Sequence, residues 1–148
     1  MRTELFKTGA GFTLGELLVV FAVVFLLIAA FTPIIRFSNE RMDKVECANN
    51  LREIGLAMYI YAREHDGRFP PSLNTLYEEN YLGDRRTMNC PAANTQGTLD
   101  SPGYTYTPDL SARDRSDLVL VRDKKGNHPK GGGNVLYVDG TVEWEDNL

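Results

Sequence analysis

The chain has 148 residues, a net charge of −4, 24% charged and 43% hydrophobic residues, enough for one small domain beside an anchor. Acidic and basic groups are interspersed, which argues against the basic patch of a nucleic-acid surface, so no specific nucleic-acid partner is expected. The chain carries no low-complexity tract and no internal repeat.

Residues 1–11 hold Arg2, Glu4 and Lys7 before a patch of small residues, Gly9-Ala10-Gly11. From Leu17 to Ile35 there are 19 residues without a charge, and only Thr32 and Pro33 interrupt the aliphatic and aromatic side chains. As a helix this run is roughly 28 Å long, close to the hydrocarbon thickness of a bilayer. A secretory signal peptide is the plainer alternative, but the run is too long for one, and no Ala-x-Ala-like site follows it before Arg36. Glu16 stands at the apolar end of this run, and the nearest earlier basic side chain, Lys7, lies nine positions away. A carboxylate in a bilayer costs a few kcal/mol or more unless it is paired. A cut between Gly11 and Phe12 would supply the missing cation, because the new α-amino group of Phe12 would sit four residues from Glu16.

The stretch Gly11-Phe12-Thr13-Leu14-Gly15-Glu16-Leu17, with the apolar run behind it, resembles the cleavage and methylation signal of type IV prepilins and of the pseudopilins of type II secretion. The resemblance implies cleavage after Gly11 by a prepilin peptidase and N-methylation of Phe12. It implies that Glu16 is the acid that registers subunits, and that Pro33 is the helix-kinking proline of that family. A proline there also removes a backbone hydrogen bond on general grounds. The organisation expected is a leader over 1–11, a transmembrane helix over 12–35 and a head over 36–148. Charge counting leaves topology open, with Arg2 and Lys7 on one side and Arg36, Arg41 and Lys44 on the other. The resemblance implies an N-terminus in the cytoplasm, an inner (cytoplasmic) membrane and a head in the periplasm or cell exterior.

Beyond Pro33 the helical pattern resumes. Cys47, Leu51, Ile54, Met58, Tyr61 and His65 recur at steps of four and three, one face of an amphipathic helix that is expected to run to about Glu64. Asp66-Gly67 supplies its stop, with Gly67 at positive φ. Phe69-Pro70-Pro71 reads as a rigid turn. Ser72 caps a short helix with Leu73, Leu76, Tyr77 and Tyr81 as its apolar stripe, and Gly83 is expected to end it. Residues from Cys47 through Asn50-Leu51, Ile54-Gly55, Tyr61, Gly67, Phe69-Pro70-Pro71 and Leu76 to Cys90-Pro91 look like the head of prepilin-type proteins with a related tail.

Cys47 and Cys90 are the two cysteines. With the head outside the cytoplasm, an even count favours a bridge, worth about 4 kcal/mol for a loop of this length. Two buried thiols are the alternative. Metal binding by two cysteines this far apart is less favoured, and catalysis is disfavoured because His65 and His128 have no evident relay partner.

Tyr104-Thr105-Tyr106-Thr107 and Leu118-Val119-Leu120-Val121 read as short strands. Between them Asp109, Asp114 and Asp117 alternate with Arg113 and Arg115. A carboxylate-rich loop is a weak candidate for Ca²⁺, which prefers several oxygen ligands, although the two arginines repel a cation. The tail carries a triple glycine, Gly131 to Gly133, read as flexibility or close backbone approach. Asp139-Gly140 reads as a two-residue hairpin turn between Val135–Val138 and Thr141–Glu145, with Val142 and Trp144 inward. His128 and Asp139-Gly140, with ten residues between, resemble the His-to-Asp-Gly tail of many prepilin-like proteins.

The fold expected is α+β: a long N-terminal helix, half transmembrane and half amphipathic, packed on a small antiparallel sheet, as in pilins. The function expected is a structural filament subunit, not an enzyme. The resemblance implies a type II secretion pseudopilus or a type IV pilus-like fibre. Its partners would be prepilin peptidase, other pilin or pseudopilin subunits, the inner-membrane assembly platform and membrane lipid. A non-polymerising single-pass module that binds a glycan or an ion is the alternative. No cofactor is expected beyond that weak Ca²⁺ candidate.

Overall fold

The computed structural model describes residues 13–93, 102–129 and 131–148, and for 32–39 the backbone alone. Gly11 and Phe12 lie outside the described residues. The chain divides into two compact units, Met1–Ser38 and Asn39–Leu148. Helix α1 spans Leu14–Glu64 and includes Pro33. Its first 18 residues, Leu14–Phe31, are long and apolar enough to cross a membrane, with mean hydropathy 2.8 and none of them buried.

In the second unit α1 buries the stripe expected from its periodicity. Cys47, Leu51, Ile54 and Met58 are fully enclosed and Tyr61 nearly so. The helix ends because Asp66 and Gly67 both take positive φ, and the Gly67 amide returns to the Ala62 carbonyl at 2.7 Å. That backward bond satisfies a carbonyl left without an intrahelical partner. His65, the last residue of the stripe, stands beyond the helix and stacks on Tyr61 at 3.7 Å between ring centres.

Helix α2 covers Leu73–Glu78, with the Ser72 hydroxyl accepting from the Thr75 amide as its cap and Leu73 and Leu76 buried. The expected stop at Gly83 is corrected. Asn80 takes φ +62, and the Leu82 amide turns back to the Leu76 carbonyl at 2.8 Å, so the helix closes a turn earlier. Asparagine tolerates the left-handed conformation well enough to do this. A 3₁₀ turn over Arg85–Met88 follows and delivers Cys90 to α1, where Cys90 is joined to Cys47 as a disulfide with 5.1 Å between Cα atoms.

Four strands form one antiparallel sheet in chain order: β1 Tyr104–Tyr106, β2 Val119–Asp123, β3 Gly133–Tyr137 and β4 Val142–Glu145. Leu120, Val121, Leu136 and Val138 close over the α1 stripe, with Phe69, Leu73, Leu76, Leu82 and Met88 filling the side of the core. Gly55 lets helix and sheet approach, since a Cβ there would stand 3.1 Å from a Leu136 methyl. The last hairpin differs from the two-residue turn expected. Leu136 pairs with Val142, and the Tyr137 amide donates to the Thr141 carbonyl at 2.9 Å, so the loop is Val138-Asp139-Gly140. Gly140 at φ +86 provides the left-handed residue of a three-residue loop. The longer loop arises because Val138 is buried and its amide donates to the Leu118 carbonyl instead of opening the turn. Val142 packs against the core as expected, whereas Trp144 is half-buried under Lys44.

Candidate functional site

Two places concentrate chemistry, one in each unit. The first is the start of α1. The Glu16 carboxylate accepts from both the amide and the hydroxyl of Thr13, each at 2.9 Å, while the Glu16 amide donates to the Thr13 hydroxyl at 3.3 Å. This is a reciprocal capping box, with Thr13 at the cap position and Glu16 at the third helical residue. Two otherwise unpaired amides at the helix start are thereby satisfied, and the negative charge sits at the positive end of the helix dipole. The partner of Glu16 here is the neutral Thr13. The Thr-x-x-Glu spacing ahead of an apolar run is the signal that identifies it. Beyond this box every large side chain of Leu14–Phe31 is exposed, Leu14 by 76% and Phe25 by 73%.

The second place lies in the head, under the sheet. Asp123, the last residue of β2, is 1% exposed, and His128, in the loop that follows, is 6% exposed. His128 Nε2 stands 3.1 Å from Asp123 Oδ2 and 3.6 Å from Cys90 Sγ. The same carboxylate oxygen accepts from the Asn134 amide at 2.7 Å and from its side-chain Nδ2 at 3.2 Å. Asn134 Nδ2 also reaches the Lys44 carbonyl of α1 at 3.1 Å. Gly133 is what allows this closeness, because a Cβ there would lie 2.7 Å from Asp123 Cβ. Gly132 and Gly133 are therefore sites of close approach, a Cβ on Gly132 standing 2.5 Å from the Glu145 carbonyl oxygen, whereas the space around Gly131 is open. The edge of His128 meets the Trp144 ring at 5.1 Å, and the Lys44 ammonium lies 3.5 Å above that ring, a cation–π contact that roofs the cluster.

His128 thus has a carboxylate partner that spacing alone did not reveal, since Asp123 ends an apolar strand and Asn134 follows three glycines. The polar cluster joins α1, β2, β3 and the disulfide loop. Replacing Asn134 by alanine removes both side-chain bonds, leaving Asp123 Oδ2 with the backbone amide of residue 134 and His128, and the Lys44 carbonyl without its side-chain donor. We expect a loss of about 1–3 kcal/mol, read by thermal or denaturant melting.

The aspartates considered for Ca²⁺ are placed separately. Asp109 and Asp114 line a groove with Tyr61, His65, Arg68 and Phe69, whereas Asp117 lines another beside Tyr137 and Asp139. The Asp114 carboxylate is taken by the amide and hydroxyl of Ser111 at 2.7 and 2.9 Å, and Arg115 forks onto Asp117. Asp109 holds φ +65 at its turn. Asp139 binds the hydroxyl and amide of Thr141, which hold its carboxyl below the usual carboxylate range.

The chain is 30% identical over 81 residues to a ComG operon protein 3 homolog of Bacillus licheniformis, covering 55% of this chain and 80% of that protein. The chain belongs to the type IV pilin-like family of the ComGC proteins. It is also 29% identical over 77 residues to the competence protein ComGC of Halalkalibacterium halodurans, covering 52% of this chain and 74% of that one. No family model and no solved structure matches it. The pilin-like chain is accordingly a single-pass, membrane-anchored protein, with α1 and the small antiparallel sheet as its α+β frame.

Proposed function

We propose that this pilin-like chain is the subunit of a competence-type pseudopilus, a structural part and not a catalyst. The observation that carries the reading is a wholly unburied apolar span, Leu14–Phe31, whose one charged side chain, Glu16, stands at its start. Such a helix has two stable environments, lipid and the packed helices of other subunits. Prepilin peptidase cuts between Gly11 and Phe12 and methylates the new amine. Glu16 then exchanges its Thr13 bonds for the Phe12 amine of a neighbouring subunit, which removes the cost of a carboxylate among apolar helices. The N-terminus faces the cytoplasm before cutting, the anchor lies in the cytoplasmic membrane and the head lies outside it. The assembly platform in that membrane draws subunits from lipid into the filament.

The names of the two relatives favour a competence role over the type II secretion role to which the short head alone inclines. Filaments sheared from cells and collected by sedimentation test the reading. The chain is expected in that fraction as well as in membranes. Its confinement to membranes, as a monomer in detergent, would contradict assembly.

A further inference from the structure

The buried cluster of the head has a property that filament assembly does not use. One ligand atom from each of Cys47, Cys90, Asp123 and His128 lies within 4.8 Å of the other three, and all four residues are buried. Asp123 shows that the set is incomplete as a hydrogen-bonded network. Its Oδ2 is well supplied with donors, but its Oδ1 is enclosed and has no hydrogen-bond partner. A buried carboxylate oxygen without a donor is costly, and a cation is the other group that satisfies it. Two thiolates, one imidazole nitrogen and one carboxylate oxygen form a four-coordinate donor set of the kind that suits Zn²⁺.

We propose that this cluster binds one Zn²⁺ ion when the Cys47–Cys90 bond is reduced. The disulfide and the metal are then alternative clasps for the same elements: α1 through Cys47, the segment after the 3₁₀ turn through Cys90, β2 through Asp123 and the following loop through His128. The reductant is a dithiol. It gives two electrons and two protons to the Cys47 and Cys90 sulfurs and closes to its own disulfide. On metal binding the two thiols release their protons to water and form two Zn–S bonds. His128 binds through the Nε2 lone pair with its ring proton on Nδ1, and Asp123 binds through its carboxylate, which Asn134 holds in place by its bonds to Oδ2. Tetrahedral Zn²⁺ needs ligand bonds of about 2.0–2.3 Å, which calls for small movements of side chains already gathered here. The Trp144 ring packs against His128 and limits its movement. Reoxidation returns two electrons to an oxidised dithiol, reforms the S–S bond and releases the ion.

The test uses the full chain in detergent micelles, reduced with a dithiol that is then removed under argon, and titrated with Co²⁺ followed by Zn²⁺. Expected are one Co²⁺ per chain, sulfur-to-cobalt charge-transfer absorption, the strong visible bands of tetrahedral Co²⁺, and displacement by Zn²⁺. The oxidised chain shows none of these. His128→Gln and Asp123→Asn each weaken binding by at least about tenfold, since loss of even an outer partner of a metal ligand has that effect. Absence of the charge-transfer band in the reduced wild-type chain overturns the proposal without reference to any variant. So does undiminished affinity in both variants, or a reduced chain that is unfolded and regains no structure with Zn²⁺.

Discussion

Replacing Glu16 by alanine is expected to leave membrane insertion and cleavage intact and to abolish the filament. In the proposed filament the acid would face the Phe12 amine of a neighbour in surroundings without water. Removing one partner of a buried pair costs about 3–5 kcal/mol. At about 1.4 kcal/mol per factor of ten, each subunit contact weakens on the order of a hundredfold or more. The capping box complicates this reading, because alanine also removes the bonds between Glu16 and Thr13 at the start of α1. Glu16→Gln separates the two effects, since a glutamine at the third helical position still closes a capping box but carries no charge. Both variants are expected to yield precursor and cut protein in the membrane and no sedimenting filament. Normal filaments from Glu16→Gln would reduce Glu16 to a helix cap and remove it from assembly.

The second large effect is expected at the disulfide. Cys47 and Cys90 close a loop across 43 positions and tie α1 to the segment after the 3₁₀ turn. In the chain-entropy account such a cross-link is worth about 4 kcal/mol. For a unit of this size about 1 kcal/mol moves the melting temperature by roughly 4–6 °C, so the double variant Cys47→Ser, Cys90→Ser should melt roughly 15–25 °C lower. The comparison is made in full chains under oxidising conditions without added metal, by circular dichroism. An unchanged melting temperature would show that the core from Leu51 to Tyr61 holds the head without help from the bridge.

Much of the fold was legible because it rests on periodic burial. Cys47, Leu51, Ile54, Met58 and Tyr61 form a stripe that is visible in the sequence and enclosed in the structure. The strands around Tyr104, Val121, Val135 and Trp144 were legible as short β-prone runs. What was not legible depends on contacts distant in sequence. The turn at Asp139-Gly140 has a three-residue loop because Val138 is drawn into the core. The stop of α2 falls at Asn80 rather than Gly83, since either residue accepts positive φ and tertiary packing chooses between them. The Asp123–His128–Asn134 cluster could not be read from spacing, because the sheet assembles it from β2, β3 and a loop. Thr13 is different: the Thr-x-x-Glu pattern stands in the sequence, and the partner it gives Glu16 is neutral where the charge on Glu16 points to a cation.

The central claim is that the chain is cut ahead of an apolar helix and polymerises through it. Intact mass and N-terminal peptide analysis of the protein taken from its own membranes test this most directly. The account predicts a chain that begins at N-methylated Phe12. A chain that still begins at Met1, or one cut beyond Ile35, would contradict it and leave an anchored or secreted binding module in its place.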